Sequence, residues 1–238
     1  MTTIAQHHAQ QPAAVQPVET KSHIGQAIAV GAAGFAWCSL ALGLTTIGAV
    51  SAAGASIILP GTFFYGGIVQ LLAGFFALAS GATFAAAFLT AYGAFWLGYS
   101  AIHVYIAPHI AASVIGTSTG ATAQKLAGVA GHDIAQALGL FLVAWLVVTV
   151  IFTIASLGTN AVTVTAFVLL DLIIVLLVTA YFGANSVGVA SNGLLHAAGW
   201  FEIVLAAVAF YLVLADLANE TFGRVLFPVF PLRGAAHA

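Results

Sequence analysis

The fold this sequence predicts is an all-α membrane protein, a six-transmembrane-helix bundle, and three observations predict it. Hydrophobic residues fill 62% of the 238 positions and charged residues only 4%. A water-soluble domain carries about a quarter charged residues, because its surface must stay hydrated. Four basic and six acidic side chains cannot cover a chain of this length in water, but they suffice where lipid replaces water. The second observation is a series of six apolar stretches, each near the ~20 residues a helix needs to cross a bilayer. The third is that helix breakers fall between these stretches rather than inside them. The net charge of −2 offers no basic patch, which excludes nucleic acid as a partner. The single cysteine, Cys38, excludes an internal disulfide and a cysteine-based metal site.

Residues 1–26 are rich in Gln, His, Ala and Pro and read as a disordered tail. The adjacent His7 and His8 inside it do not make a metal site. The spans are placed at residues 32–53, 61–79, 83–106, 134–155, 162–182 and 197–217, within a transmembrane domain of 27–228, and 229–238 form a C-terminal tail. Between them stand Gly54 with Pro60, then Ser80-Gly81, Pro108 with Gly116 and Gly120, Gly158-Thr159-Asn160, and the polar run 185–193. Residues 107–133 read as the longest connection. Ala53-Gly54-Ala55 resembles a leader-cleavage site, but the apolar run before it exceeds the usual ~7–15 residues of a secretory leader. It reads as a span. Six spans leave both termini on one side, with Lys21, Arg224 and Arg233, against Lys125 on the other. That excess predicts cytoplasmic termini in the plasma (inner) membrane.

An ionisable side chain inside hydrocarbon costs roughly 2.5–3.5 kcal/mol on insertion scales, so each one invites a functional reading. Asp171 lies near the middle of the fifth span and Glu202 in the first half of the sixth. Both are candidates for relaying protons, Asp171 first; a structural hydrogen bond to a neighbouring helix is the alternative for Asp171. Asp216 and Glu220 sit close to the exit of the sixth span. No Lys or Arg lies inside any span, so an anion crossing here is met by neutral donors or crosses protonated. Tyr92, Trp96, Tyr99 and His103 share one helical stripe in the third span, and Phe63, Gly67, Gln70 and Gly74 align in the second. Small residues at that spacing mark close helix packing. No nucleophile–base pair and no metal cluster stands among the spans. The expectation is therefore a protein that is not an enzyme and uses no cofactor.

Several multi-residue words carry more specific information. Phe64-Tyr65-Gly66-Gly67, Gln70, Ala73-Gly74, Gly81, Thr83-Phe84 and Tyr92-Gly93-Ala94-Phe95-Trp96 resemble the second and third spans of the acetate uptake transporter family. That family includes the bacterial succinate–acetate permeases and the yeast ammonia/acetate proteins. His196-Ala197-Ala198-Gly199-Trp200, Tyr211, Asn219-Glu220 and Phe222-Gly223-Arg224 match its last span, and Leu42-Gly43-Leu44-Thr45-Thr46 its first. The resemblance implies a six-helix protomer with a central pathway, a homo-oligomer (hexameric in relatives), and small carboxylates such as acetate, with succinate a further candidate, as substrates.

It further implies an apolar constriction of Phe, Tyr and Leu, which falls here on Leu42, Tyr92 and Leu170. The matched words supply Thr45, Thr46, Tyr65, Gln70 and Trp96 as candidates for binding substrate. The family's Asn-Pro-Ala-Pro-Leu-Gly signature is absent; its place reads Ala33-Gly34-Phe35-Ala36-Trp37-Cys38. Driving an anion into a negative cytoplasm costs about 2.3 kcal/mol per charge per 100 mV. A proton carried alongside removes that penalty, so proton-linked uptake is expected. Two other readings stay open at this point: passage of another small solute such as ammonia, and a membrane scaffold or sensor that does not transport.

Overall fold

The computed structural model describes residues 27–51, 54–117, 122–185 and 192–232. Expectations for the N-terminal tail, His7, His8, Lys21, Ala53 and Arg233 lie outside the described residues. Among the described residues six helices are long and apolar enough to cross a membrane: α1 (Ala27–Thr46), α2 (Gly54–Ala79), α3 (Thr83–Gly116), α4 (Gln124–Ser156), α5 (Ala161–Phe182) and α6 (Asn192–Phe222). The protein is an all-α integral membrane protein.

Helix ends follow from local chemistry. Pro60 falls in the first α-helical turn of α2, where the missing N–H had no partner to lose. Gly81 closes α2 at φ +83°, and the Ala82 and Gly81 N–H groups donate to the carbonyls of Ala77 and Leu78, each at 3.0 Å. Those two bonds satisfy carbonyls that the helix end would leave bare, and the left-handed backbone they need suits glycine. At the start of α5 the Asn160 side chain accepts a hydrogen bond from the Thr163 N–H at 2.9 Å.

The third connection departs from expectation. Residues 107–133 read as the longest connection, polar and rich in small residues, yet α3 continues to Gly116 and α4 begins at Gln124. At 1.5 Å per residue these two helices are each about 50 Å long, well beyond a hydrocarbon core of about 30 Å. Pro108 does not stop α3, because the turn just before it (Ile102–Ile106) is a wide π-helical turn. There the Ala107 N–H reaches back five residues to the Ile102 carbonyl, so the register has already slipped before the proline removes its own donor. A second π-helical stretch, Thr62–Val69, widens the middle of α2.

The bundle closes on itself where α1 packs against α6, its most extensive contact. Small residues let the backbones touch: a Cβ on Gly43 would stand 2.8 Å from the Gly199 carbonyl oxygen. α4 packs on α5, α5 on α6, and α2 on α3. After α6 the chain folds back. The Asn219 side chain accepts from the Leu226 and Phe227 N–H groups at 2.7 and 3.0 Å and donates to the Phe227 carbonyl at 2.9 Å. Tyr211 donates to the Pro228 carbonyl, and the Leu232 N–H donates to Thr159 on the α4–α5 turn at 3.0 Å. Residues as far as Leu232 are therefore pinned to the bundle; the rest of the expected 229–238 tail lies outside the described residues.

Candidate substrate pathway

Two cavities lie inside the ring of helices, one towards each membrane face. The first, of about 240 Å³, is lined by the early residues of α1, α3 and α5 and the later part of α6, including Ile28, Phe88, Thr163, Leu212 and Asp216. The second, of about 70 Å³, is lined by the later turns of α1, α3 and α5, the middle of α4 and the first half of α6, including Thr46, Phe141, Tyr181 and Glu202. One bound water needs roughly 10–15 Å³ on this measure, so the second chamber holds several waters or one short acid. Three residues line both cavities: Phe35, Tyr92 and Leu170.

That shared wall is aromatic. The Phe35 and Tyr92 rings meet edge to face, centroids 5.4 Å apart. Around Tyr92 stand Phe95, Trp145, Phe152 and Phe167, with centroids 6.0–6.4 Å away. Tyr92 is 3% exposed, and its hydroxyl lies 2.7 Å from the Thr149 Oγ1. Thr149 donates its one hydroxyl proton to the Trp145 carbonyl at 2.8 Å, so it is Tyr92 that donates to Thr149. The Tyr92 proton is therefore already engaged. What the ring offers the pathway is an apolar face and oxygen lone pairs.

The two cavities differ in character. Ser39, Thr46, Trp96, Tyr99, Tyr181 and Glu202 all line the second, with no Lys, Arg or His among its lining residues. Glu202 is 6% exposed and Trp96 2%. The Glu202 Oε2 and the Trp96 Nε1 are both buried without a hydrogen-bond partner among the described residues. A buried polar atom left unpaired costs about 1–3 kcal/mol, which marks these two atoms as places where a ligand would recover energy.

The residues singled out in the sequence scatter across this geometry. Tyr92 and Leu170 lie on the shared wall, while Leu42 lines only the second cavity. Phe35, seven residues earlier, takes the aromatic place. Thr46 and Trp96 line the second cavity; Thr45 does not, and its hydroxyl donates to the Leu42 carbonyl of its own helix at 2.8 Å. Tyr65 and Gln70 are on α2, which contributes to neither cavity. Tyr65 is 36% exposed on the outer face, and Gln70 is fully buried with its amide unpaired among the described residues. Asp171 lines neither cavity: its Oδ2 accepts from Thr153 of α4 at 2.7 Å, tying α4 to α5. Tyr99, on the stripe already noted in the third span, lines the second cavity, while Phe35, Ser39 and Tyr181 are lining residues that sequence reasoning missed. For two of them a signal existed, since Phe35, Ser39, Leu42 and Thr46 repeat at helical spacing and share one face of α1.

The sequence profile of the GPR1/FUN34/yaaH family matches residues 7–234 of this chain. The chain belongs to that family. Among GPR1/FUN34/yaaH relatives, it is 30% identical over 222 residues to acetate permease A of Emericella nidulans, covering 92% of this chain and 70% of the relative. It is 29% identical over 200 residues to the succinate-acetate/proton symporter SatP of Escherichia coli K12, covering 84% and 92%. The solved structure of the bacterial acetate channel SatP superposes with a TM-score of 0.68 at 29% identity, over 86% of this chain and 98% of that one. The six-helix fold is thus one this family shares.

Proposed function

We propose that this protein is a permease for short carboxylic acids, acetate foremost, taken up together with protons. The observation that carries the reading is the pair of cavities on opposite faces of the bundle meeting at one apolar wall of Phe35, Tyr92 and Leu170, in a chain similar over most of its length to an acetate permease and a succinate-acetate/proton symporter. A narrow apolar wall passes a methyl group readily and resists a bare charge, because a dry ion has lost its hydration. Pairing the carboxylate with a proton before it reaches the wall meets both conditions. Of the two carboxyls placed deep in the spans, Glu202 faces the second cavity whereas Asp171 faces neither; Asp216, nearer the end of α6, lines the first. Glu202 therefore takes the leading place that the sequence alone gave to Asp171.

The protein works in the plasma membrane as a homo-oligomer with both termini cytoplasmic. Arg224 follows α6 on the side where α1 begins, and Lys125 stands on the other. The test is influx of labelled acetate into liposomes carrying the purified protein, with and without an inward proton gradient. Acetic acid titrates near a glutamate side chain, about 4.3, so near-neutral buffers keep most of it anionic and limit leakage of the free acid through lipid. The gradient is expected to accelerate influx several-fold. Asp171→Asn, which still offers Thr153 an acceptor, is expected to respond as wild type does. Influx no faster than in protein-free liposomes would refute the permease and favour a scaffold.

A further inference from the structure

The second cavity has the chemistry of a site that selects one carboxylate and rejects two. Resting on the permease reading above, we infer that Glu202 and the Trp96 indole form a recognition site for a monocarboxylate. The substrate carboxylate and the Glu202 carboxyl share a single proton there, and the Trp96 N–H donates to the substrate. Both groups line the same chamber, both are more than nine-tenths buried, and each carries an atom unpaired among the described residues. With no cation in the lining, an incoming carboxylate has two ways to be stabilised: neutral donors, and a proton it shares.

The titratable groups facing Glu202 support this assignment. On α3 they are Tyr99 and Tyr92, the latter with its proton already engaged by Thr149, and on α5 Tyr181; α1 presents the hydroxyls of Ser39 and Thr46 and no ionisable side chain to the chamber. The α4 face is Leu138, Phe141 and Leu142. His103 stands one turn beyond, its ring 4.1 Å from that of Tyr99. It is not among the lining residues. These hydroxyls can donate hydrogen bonds to the pair, but the lining holds no second carboxyl and no cation to take the place of Glu202. The α4 face also decides substrate class: a second carboxylate on a longer acid would be pressed against leucine and phenylalanine, where an unpaired charge is heavily penalised.

The sign of the pH dependence follows. Acetate binds as an anion to protonated Glu202. Above the pH at which unliganded Glu202 gives up its proton, each bound acetate must bring one, and apparent affinity falls about tenfold per pH unit. Acetate affinity of the intact protein in lipid nanodiscs, measured by calorimetry at a series of pH values, reads this directly. Wild type is expected to show that falling limb. Glu202→Gln keeps a donor but has no proton to lose, so its affinity is expected to be flat across the same range. Trp96→Phe should keep the wild-type slope while binding about tenfold more weakly at every pH, the loss expected for one hydrogen bond to a charged group. Succinate in tenfold excess should fail to displace acetate.

A Glu202→Gln profile that falls as steeply as wild type overturns the site, and so does displacement by succinate at acetate-like affinity. If Glu202→Gln does not assemble, a flat wild-type profile or an unaltered Trp96→Phe affinity overturns it equally. Failure here leaves liposome influx untouched. Acetate binding with this profile but no influx would instead refute the permease and leave the site standing.

Discussion

Phe35→Ala is expected to open the pathway to acids several carbons longer than acetate, raising their influx relative to acetate by about tenfold or more. Phe35 is one of three residues shared by the two cavities, and its ring meets Tyr92 edge to face at 5.4 Å. Removing it joins the cavities over the width of a phenyl ring. Discrimination by one methylene in an apolar site is worth roughly 10–200-fold, so a gap of this size should erase most selection by chain length. Leu42→Ala should matter much less, because Leu42 lines only the second cavity. A competition series of straight-chain acids against labelled acetate measures both. Equal changes in the two variants would show that Phe35 is not the gate.

A large structural effect is expected at the α1–α6 crossing. A Cβ on Gly43 would stand 2.8 Å from the Gly199 carbonyl oxygen and 3.1 Å from the Glu202 Cβ; one on Gly199 would stand 2.8 Å from the Ile47 Cγ2 and 3.1 Å from the Gly43 carbonyl. The Gly199 and Gly43 carbonyls are backbone and cannot swing aside. Gly43→Val must push the helices apart along their most extensive contact, and overpacking of that kind costs about 1–3 kcal/mol or more. At roughly 2–4 °C per kcal/mol for a chain of this size, the unfolding midpoint should drop by about 5–10 °C. Gly116→Ala, with nothing within 4 Å of the new methyl, should leave it unchanged. A thermal melt in detergent compares the two. An unaltered midpoint for Gly43→Val would mean that α1 and α6 do not approach this closely.

How much of this was legible beforehand differs by level. The number and order of the spans were, because hydrocarbon demands long apolar runs and the charge pattern leaves no other solvent for them. The length of α3 was not. Pro108 reads as a stop, and nothing in a one-dimensional pattern announces the π-helical turn at Ile102–Ile106 that lets the helix run through it. Tyr92 could be placed by resemblance, since it stands in a matched word, whereas Leu170 lies outside the matched words and its placement rested on a loose match. The aromatic partner could not, because resemblance to the first-span words points to Leu42 while the ring sits two turns earlier on the same face. Of the two carboxyls in apolar runs, Asp171 ranked ahead of Glu202 because it lies nearer mid-span. Packing reverses that order, by giving one a threonine on the neighbouring helix and the other a chamber. Tyr65 and Gln70 belong to matched words on α2, which lines neither cavity.

The central claim is that acetate crosses through the wall formed by Phe35, Tyr92 and Leu170, and blocking that wall tests it most directly. Leu170→Trp places an indole between the two cavities without touching Glu202 or Trp96. The measurement is the initial rate of labelled acetate influx, at neutral pH, into liposomes holding equal amounts of wild type or of Leu170→Trp with an unaltered unfolding midpoint. Wild type should exceed protein-free liposomes clearly, and the variant should fall to their level. A variant that carries acetate as fast as wild type would contradict the account, since the route would then lie somewhere else in the protein.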